Sequence, residues 1–238
     1  MLRMIVIAAG LLLSAGAGAQ QAARAVSQAN FNLSAGHAEA DDLTLDELAV
    51  EANLPLGAYF GLGAGIRRQW VEVSADSGAG TDADVLGGEV GLFARDPGRG
   101  VLGLEYGRSE RSPETGEDLE AETYRGVFAL YDQAFDLILS RADTEYDDDR
   151  PTLHTANAEL ASYGGPNIRI AAAYGFLDVA DDLDVTLAYQ PDFTGNVLAF
   201  ELGYADTEAD GEVYSGRVVY YFGAPRSLIS RYREQLLP

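Results

Sequence analysis

The chain has 238 residues, with no cysteine and no lysine, two histidines, and 16 basic side chains, all Arg, against 38 acidic ones. Without cysteine there are no disulfides, no thiolate metal site, no thiol nucleophile and no lipid attachment through a Cys. A formal charge of −22 leaves no clustered basic surface for phosphate, which excludes nucleic acid as a partner. Long apolar runs are missing as well. After Leu13 nothing approaches the roughly eighteen consecutive apolar residues of a spanning helix, so any residence in a membrane must come from strands. What is present argues for a folded chain, because 47% of residues are hydrophobic and 10% aromatic.

Residues 1–19 carry the pattern of a secretory signal. Arg3 supplies the positive start, Met4 to Leu13 the apolar stretch, and Ala17-Gly18-Ala19 the small-residue cleavage site. The apolar stretch is too short to span a membrane, for which about 20 residues are needed. Residues 20–29 then form a short periplasmic segment before the first strand.

From Asn30 onward apolar and polar residues alternate with period two, in pieces of about ten residues bounded by turn formers. Phe60, Leu62, Ala64 and Ile66 share one face, while Gly61, Gly63, Gly65 and Arg67 share the other. Leu198, Phe200, Leu202 and Tyr204 oppose Ala199, Glu201 and Gly203 in the same way. Twelve such segments are expected, near 30–38, 47–54, 58–73, 85–95, 101–109, 120–131, 134–143, 153–163, 167–177, 183–190, 196–206 and 212–222. The connections alternate between short Pro/Gly turns, such as Leu54-Pro55-Leu56-Gly57 and Gly164-Gly165-Pro166, and longer acidic stretches. The longer set, 39–47, 74–84, 110–122, 143–149, 178–184 and 206–212, holds 27 of the 38 acids and Arg111 as its only basic residue. Tight turns at one rim and longer polar loops at the other are the arrangement of a transmembrane barrel. A β-sandwich has no reason to sort its connections in this way.

Across residues 30–222 the chain resembles a bacterial outer-membrane β-barrel of the small porin-like kind. The resemblance rests on the signal pattern, the alternating segments, the parity of the connections, and aromatics near segment ends: Trp70, Tyr106, Tyr124, Tyr189 and Tyr204. Val218-Val219-Tyr220-Tyr221-Phe222 looks like the aromatic C-terminal strand of such barrels. It implies an all-β fold, a closed antiparallel barrel in the outer membrane. Residues 223–238 depart from the pattern, and Leu228, Ile229, Leu236 and Leu237 suggest a short amphipathic helix there.

If the apolar face meets lipid, the opposite face lines the lumen. Glu51, Glu89, Glu105, Asp136, Glu159 and Glu201 are then inward acids, and Arg67, Arg95, Arg125, Arg169 and Arg217 inward bases. Such a nearly balanced interior reads either as a narrow channel for small polar or cationic solutes or as a plug of Arg–carboxylate bridges in a non-conducting structural or surface-interaction barrel. The acidic outer rim is expected to attract cations, with divalent ions held by oxygen ligands as one expectation. A selectivity set at that rim weakens as salt rises. Asp206-x-Glu208-x-Asp210-Gly211 imitates a calcium loop but has Arg217 where the final Glu belongs, so no metal site is assigned, and no cofactor. His37 and His154 have no Ser two residues away on their own strand face, and no catalytic residue is assigned.

Overall fold

A computed structural model of the chain describes residues 29–74, 82–96, 98–132, 134–177, 181–207, 211–223 and 225–234. The signal pattern at 1–19 and most of the segment that follows lie outside the described residues. Twelve strands account for nearly all the rest: β1 (Asn30–Ala40), β2 (Leu43–Pro55), β3 (Phe60–Val73), β4 (Ala83–Asp96), β5 (Gly100–Pro113), β6 (Leu119–Tyr131), β7 (Phe135–Tyr146), β8 (Leu153–Tyr163), β9 (Ile168–Leu177), β10 (Asp181–Tyr189), β11 (Leu198–Thr207) and β12 (Gly211–Phe222). Each pairs antiparallel with its neighbour in sequence. β1 pairs with β12, Phe31 opposite Phe222, so the sheet closes with no free edge. Closure satisfies every ladder position within the protein, as a strand protein in hydrocarbon requires.

Period-two alternation becomes inside and outside. Leu104 is 71% exposed and Leu202 62%, whereas Val101, Ala129, Ala199 and Val219, one pleat away in parity, are buried. Large apolar side chains therefore cover the outer wall, the reverse of a water-soluble fold. Aromatics gather at the strand ends. Tyr106 and Tyr124 lie 5.4 Å apart between ring centres, as do Tyr204 and Tyr214, and the Arg68 guanidinium sits 5.0 Å above the Trp70 ring. Rings at this height suit a membrane–water interface.

At the acidic end the strands run further than the alternation predicts. The stretch 39–47 is not a loop. Asp41 and Asp42 alone turn β1 into β2, because Leu43 and Leu45 continue the inward parity and pack with Val71 and Ala83 inside the barrel. Many acids expected in loops thus stand on strand ends. Asp46, Glu72, Glu110, Glu145 and Glu212 point away from the lumen, while Asp182 and Asp184 point into it. At the opposite end the turns are tight. Gly100 opens β5 with φ +154°, and a Cβ there would lie 2.0 Å from the Ala129 carbonyl oxygen, so only glycine fits. Gly223, with φ +105°, turns the chain away from the wall after β12.

Candidate functional site: the lumen and its crossing tail

The eleven charged residues expected to line the lumen all belong to the inward-facing rows of the twelve strands. Their pairing is specific. Arg67 donates to Glu89 (3.0 Å) and lies 3.4 Å from Glu47 through Nε. Arg217 donates to the other oxygen of Glu47 (3.0 Å) and lies 3.8 Å from Glu201. Arg125 meets Glu105 at 3.1 Å, Arg169 meets Glu159, and Glu51 accepts from the Asn32 amide at 2.7 Å. Arg95 is buried with its guanidinium 4.5 Å above the Phe93 ring. The buried carboxylates Glu47, Glu105, Glu159 and Glu201 each face an Arg, as the desolvation cost of a lone charge demands.

Glu47 joins the two Arg groups into one network and was not among the expected lining residues. Its signal was present: it lies four residues before Glu51 and shares its parity. The alternation misses it because the acidic stretch 39–47 reads as a connection, with Glu47 at its end. Gly65 is a second silent member. It sits opposite Glu89 in the β3–β4 register, and a Cβ there would come within 2.9 Å of the Glu89 carboxylate, so the missing side chain leaves room for that group to reach Arg67.

The lumen is unlike at its two ends. Toward the acidic end its wall carries small uncharged residues, Ala38, Thr123, Ala142, Thr144, Thr155 and Ser215 half-buried and Asn157 exposed into the interior, beside the Leu43, Leu45, Val71 and Ala83 cluster and the acids Asp182 and Asp184. Toward the tight turns it is filled, because residues 225–234 enter it. Ser227 caps a short helix, α1 (Leu228–Tyr232), its hydroxyl accepting from the Ser230 amide at 3.0 Å. Leu228 is wholly buried with Ala188, Ala199, Val219 and Tyr221, and its amide donates to the Pro166 carbonyl at 2.8 Å.

Beyond Leu228 the tail is held by its charged side chains. Arg231 donates to the Asn196 carbonyl (3.0 Å) and stacks 4.0 Å above the Tyr221 ring. Burial lowers the Arg231 pKa to about 10. The Tyr232 hydroxyl donates to Glu201 while its ring lies 4.3 Å beneath the Arg169 guanidinium. Burial, then the neighbouring Glu201 charge, pushes the Tyr232 pKa well above its ordinary value of 10.0. Arg233 forks onto Asp136, with contacts of 3.0 Å from Nε and 2.7 Å from Nη2 to Oδ1. It also donates to the Asp132 carbonyl, and the rings of Tyr131 and Tyr163 lie 4.8 and 5.9 Å from its guanidinium. Asp136 stands on β7, six strands from β1 either way round the ring, so the chain leaving β12 spans the mouth from one side to the other. Glu234 then pairs with Arg226 and accepts from Asn30 at 3.4 Å.

Each histidine faces an Asp across the ladder on the outer surface, His37 with Asp46 (2.8 Å) and His154 with Asp143 (2.6 Å). Among the described residues no three His, Asp or Glu side chains gather as metal ligands. Glu208 and Asp210 of the calcium-like stretch lie outside the described residues. In the run at 147–149, the Asp147 carboxylate accepts from the Glu120 amide (3.2 Å), and Asp148 pairs with Arg150 at 2.7 Å.

The same architecture is found in solved outer-membrane proteins. An outer-membrane channel of Pseudomonas putida F1 superposes with a TM-score of 0.67 at 13% identity, covering 86% of this chain and 100% of that one. The KdgM porin gives 0.59 at 14% identity, over 81% and 99% of the two chains. The translocator domain of the autotransporter NalP from Neisseria meningitidis gives 0.52 at 12% identity, over 93% of each. No protein-family model and no curated protein matches the chain by sequence. The chain therefore has the fold of the outer-membrane β-barrels, with a strand count of twelve.

Proposed function

We propose that the protein is a porin-like passive channel of the bacterial outer membrane, admitting small polar or cationic solutes. The observation that carries this reading is the belt of paired Arg and carboxylate groups inside a closed barrel whose outside is apolar. Fixed charges of both signs, paired between nearby strands around the wall, narrow the lumen and screen solutes by charge and size. The likeness to an outer-membrane channel and a porin supports the same reading. Asp182 and Asp184 at the outer end of the lumen favour cations over anions at entry. The outward strand-end acids lie at the height of the interfacial aromatics, where they face outer-membrane lipid headgroups and the divalent ions that bridge them.

The test is conductance of the refolded mature chain in a planar bilayer under a salt gradient. A filter made by the inner belt keeps its cation preference in 1 M salt, where the Debye length is about 3 Å. Preference that fades with salt would place the filter among the outward acids. The rival reading is a non-conducting structural barrel, and the observation that favours it is the tail across the mouth.

A further inference from the structure

We propose that the mouth at the tight-turn end is a guanidinium-binding site closed by the chain's own Arg233, and that a free guanidinium-bearing solute displaces this residue and with it the tail. The inference rests on the channel reading for its effect on passage, but the site stands on its own geometry. Asp136 is buried, offers both oxygens to the fork of Arg233, and is oriented by the Tyr163 hydroxyl, which donates to it at 2.6 Å. The Asp132 carbonyl takes a further N–H, and Tyr131 and Tyr163 present their rings to the cation. Carboxylate, carbonyl and two rings around one planar cation make a set that a guanidinium fills and an ammonium does not. An ammonium cannot fork onto a carboxylate or stack flat on a ring.

The site belongs to the wall and the ligand to the tail. All four acceptor groups come from β6, β7, β8 or the turn between β6 and β7, and Arg233 arrives from beyond β12. Withdrawing the tail leaves Asp136 with Tyr163 and an open position of guanidinium shape. Because Arg233 is tied across the ring from the strand that precedes it, losing this grip leaves the far end held to the wall by the Tyr232 hydroxyl on Glu201 and by Glu234 on Asn30 at 3.4 Å, and these give way with it. The chain turns at Gly223, with φ +105°, so Leu228 and Arg231 leave their contacts with Tyr221 and Asn196 when the crossing segment is displaced.

Two readouts on the full mature chain test this together. One is bilayer current, with L-arginine or L-lysine added at equal ionic strength on the tight-turn side. The other is maleimide labelling of Leu228→Cys, a reporter with no competing thiol because the chain has no other cysteine. Arginine is expected to raise both current and labelling rate saturably, and lysine to leave them unchanged. Arg233→Gln should label about thirtyfold faster without arginine, which is about 2 kcal/mol at tenfold per 1.4 kcal/mol. Asp136→Asn should behave alike and lose the arginine response. Folding of each variant is read from heat-modifiable gel migration. Labelling indifferent to arginine and to Arg233→Gln overturns the proposal, whatever the current does. Labelling that responds in a barrel that never conducts keeps the guanidinium site and removes the channel.

Discussion

The two halves of the lumen share one wall and one alternation, yet they are built differently. In the outer half, beyond the apolar cluster of Leu43, Leu45 and Val71, the inward side chains are small, and polar contacts are local, as between the hydroxyls of Thr123 and Thr144 at 3.0 Å. At mid-height Arg and carboxylate groups reach across strands, and in the half near the tight turns Arg233 joins Asp136 while α1 fills what remains. A barrel wall alone closes no lumen at this strand number, since twelve strands lie between the side-chain-filled small barrels and the open porins. The difference between the halves therefore comes from the ten residues after the barrel, which enter one end only.

The largest effect that would break this contrast is loss of the shared carboxylate. Glu47→Ala leaves Arg67 and Arg217 without their common partner in a buried setting. It should cost about 3–5 kcal/mol in denaturant unfolding. A cost below about 1 kcal/mol would mean that the inner network is solvated. Next comes the orientation of the wall. Leu104→Arg, on the lipid side, should lose about 2–4 kcal/mol in membrane assembly, whereas Asn157→Arg, exposed into the outer half of the lumen, should assemble almost normally. Equal assembly of the two would reverse inside and outside. Within the outer half, Thr123→Val removes one exposed-side hydrogen bond and should cost about 0.5–1.5 kcal/mol by the same unfolding assay.

The smallest expected effect is that of pH on the tail. The Tyr232 pKa is raised in the folded chain, so its contribution is full below the ordinary value of 10.0 and is lost as pH rises through the folded value. Arg231 is lowered to about 10, so its buried charge opposes docking at neutral pH, and that opposition fades above about pH 10. Maleimide labelling of the Leu228→Cys chain, taken relative to a free thiol at the same pH because only the thiolate reacts, should thus be flat from about pH 6 to about 9. Release within that window would assign control of the tail to groups other than these two.

How far the barrel was readable follows from the spacing of particular residues. Leu198 to Leu202 and Phe60 to Ile66 state their own faces, because a strand has only two and one of them must meet hydrocarbon. The inward Arg and Glu residues followed from the same parity. Glu47 escapes because the Asp-rich surroundings of Leu43 and Leu45 read as loop, while the packing of those leucines with Val71 and Ala83 depends on the positions of two other strands. Likewise, the acids of the outer end were legible as a group, but whether each faced the lumen depended on where the strands stop.

The sequence by itself determined a closed antiparallel barrel, its approximate strand count and the charged character of its interior, because period two and the cost of unpaired backbone in lipid leave few alternatives. Only the tertiary structure decided where the tail goes. Residues 223–238 read as a short amphipathic helix with no partner face indicated, and Arg233 and Asp136 are 97 residues apart in sequence. Their meeting depends on β7 standing across the ring from β12's neighbour β1, a distance that exists only once the barrel has closed.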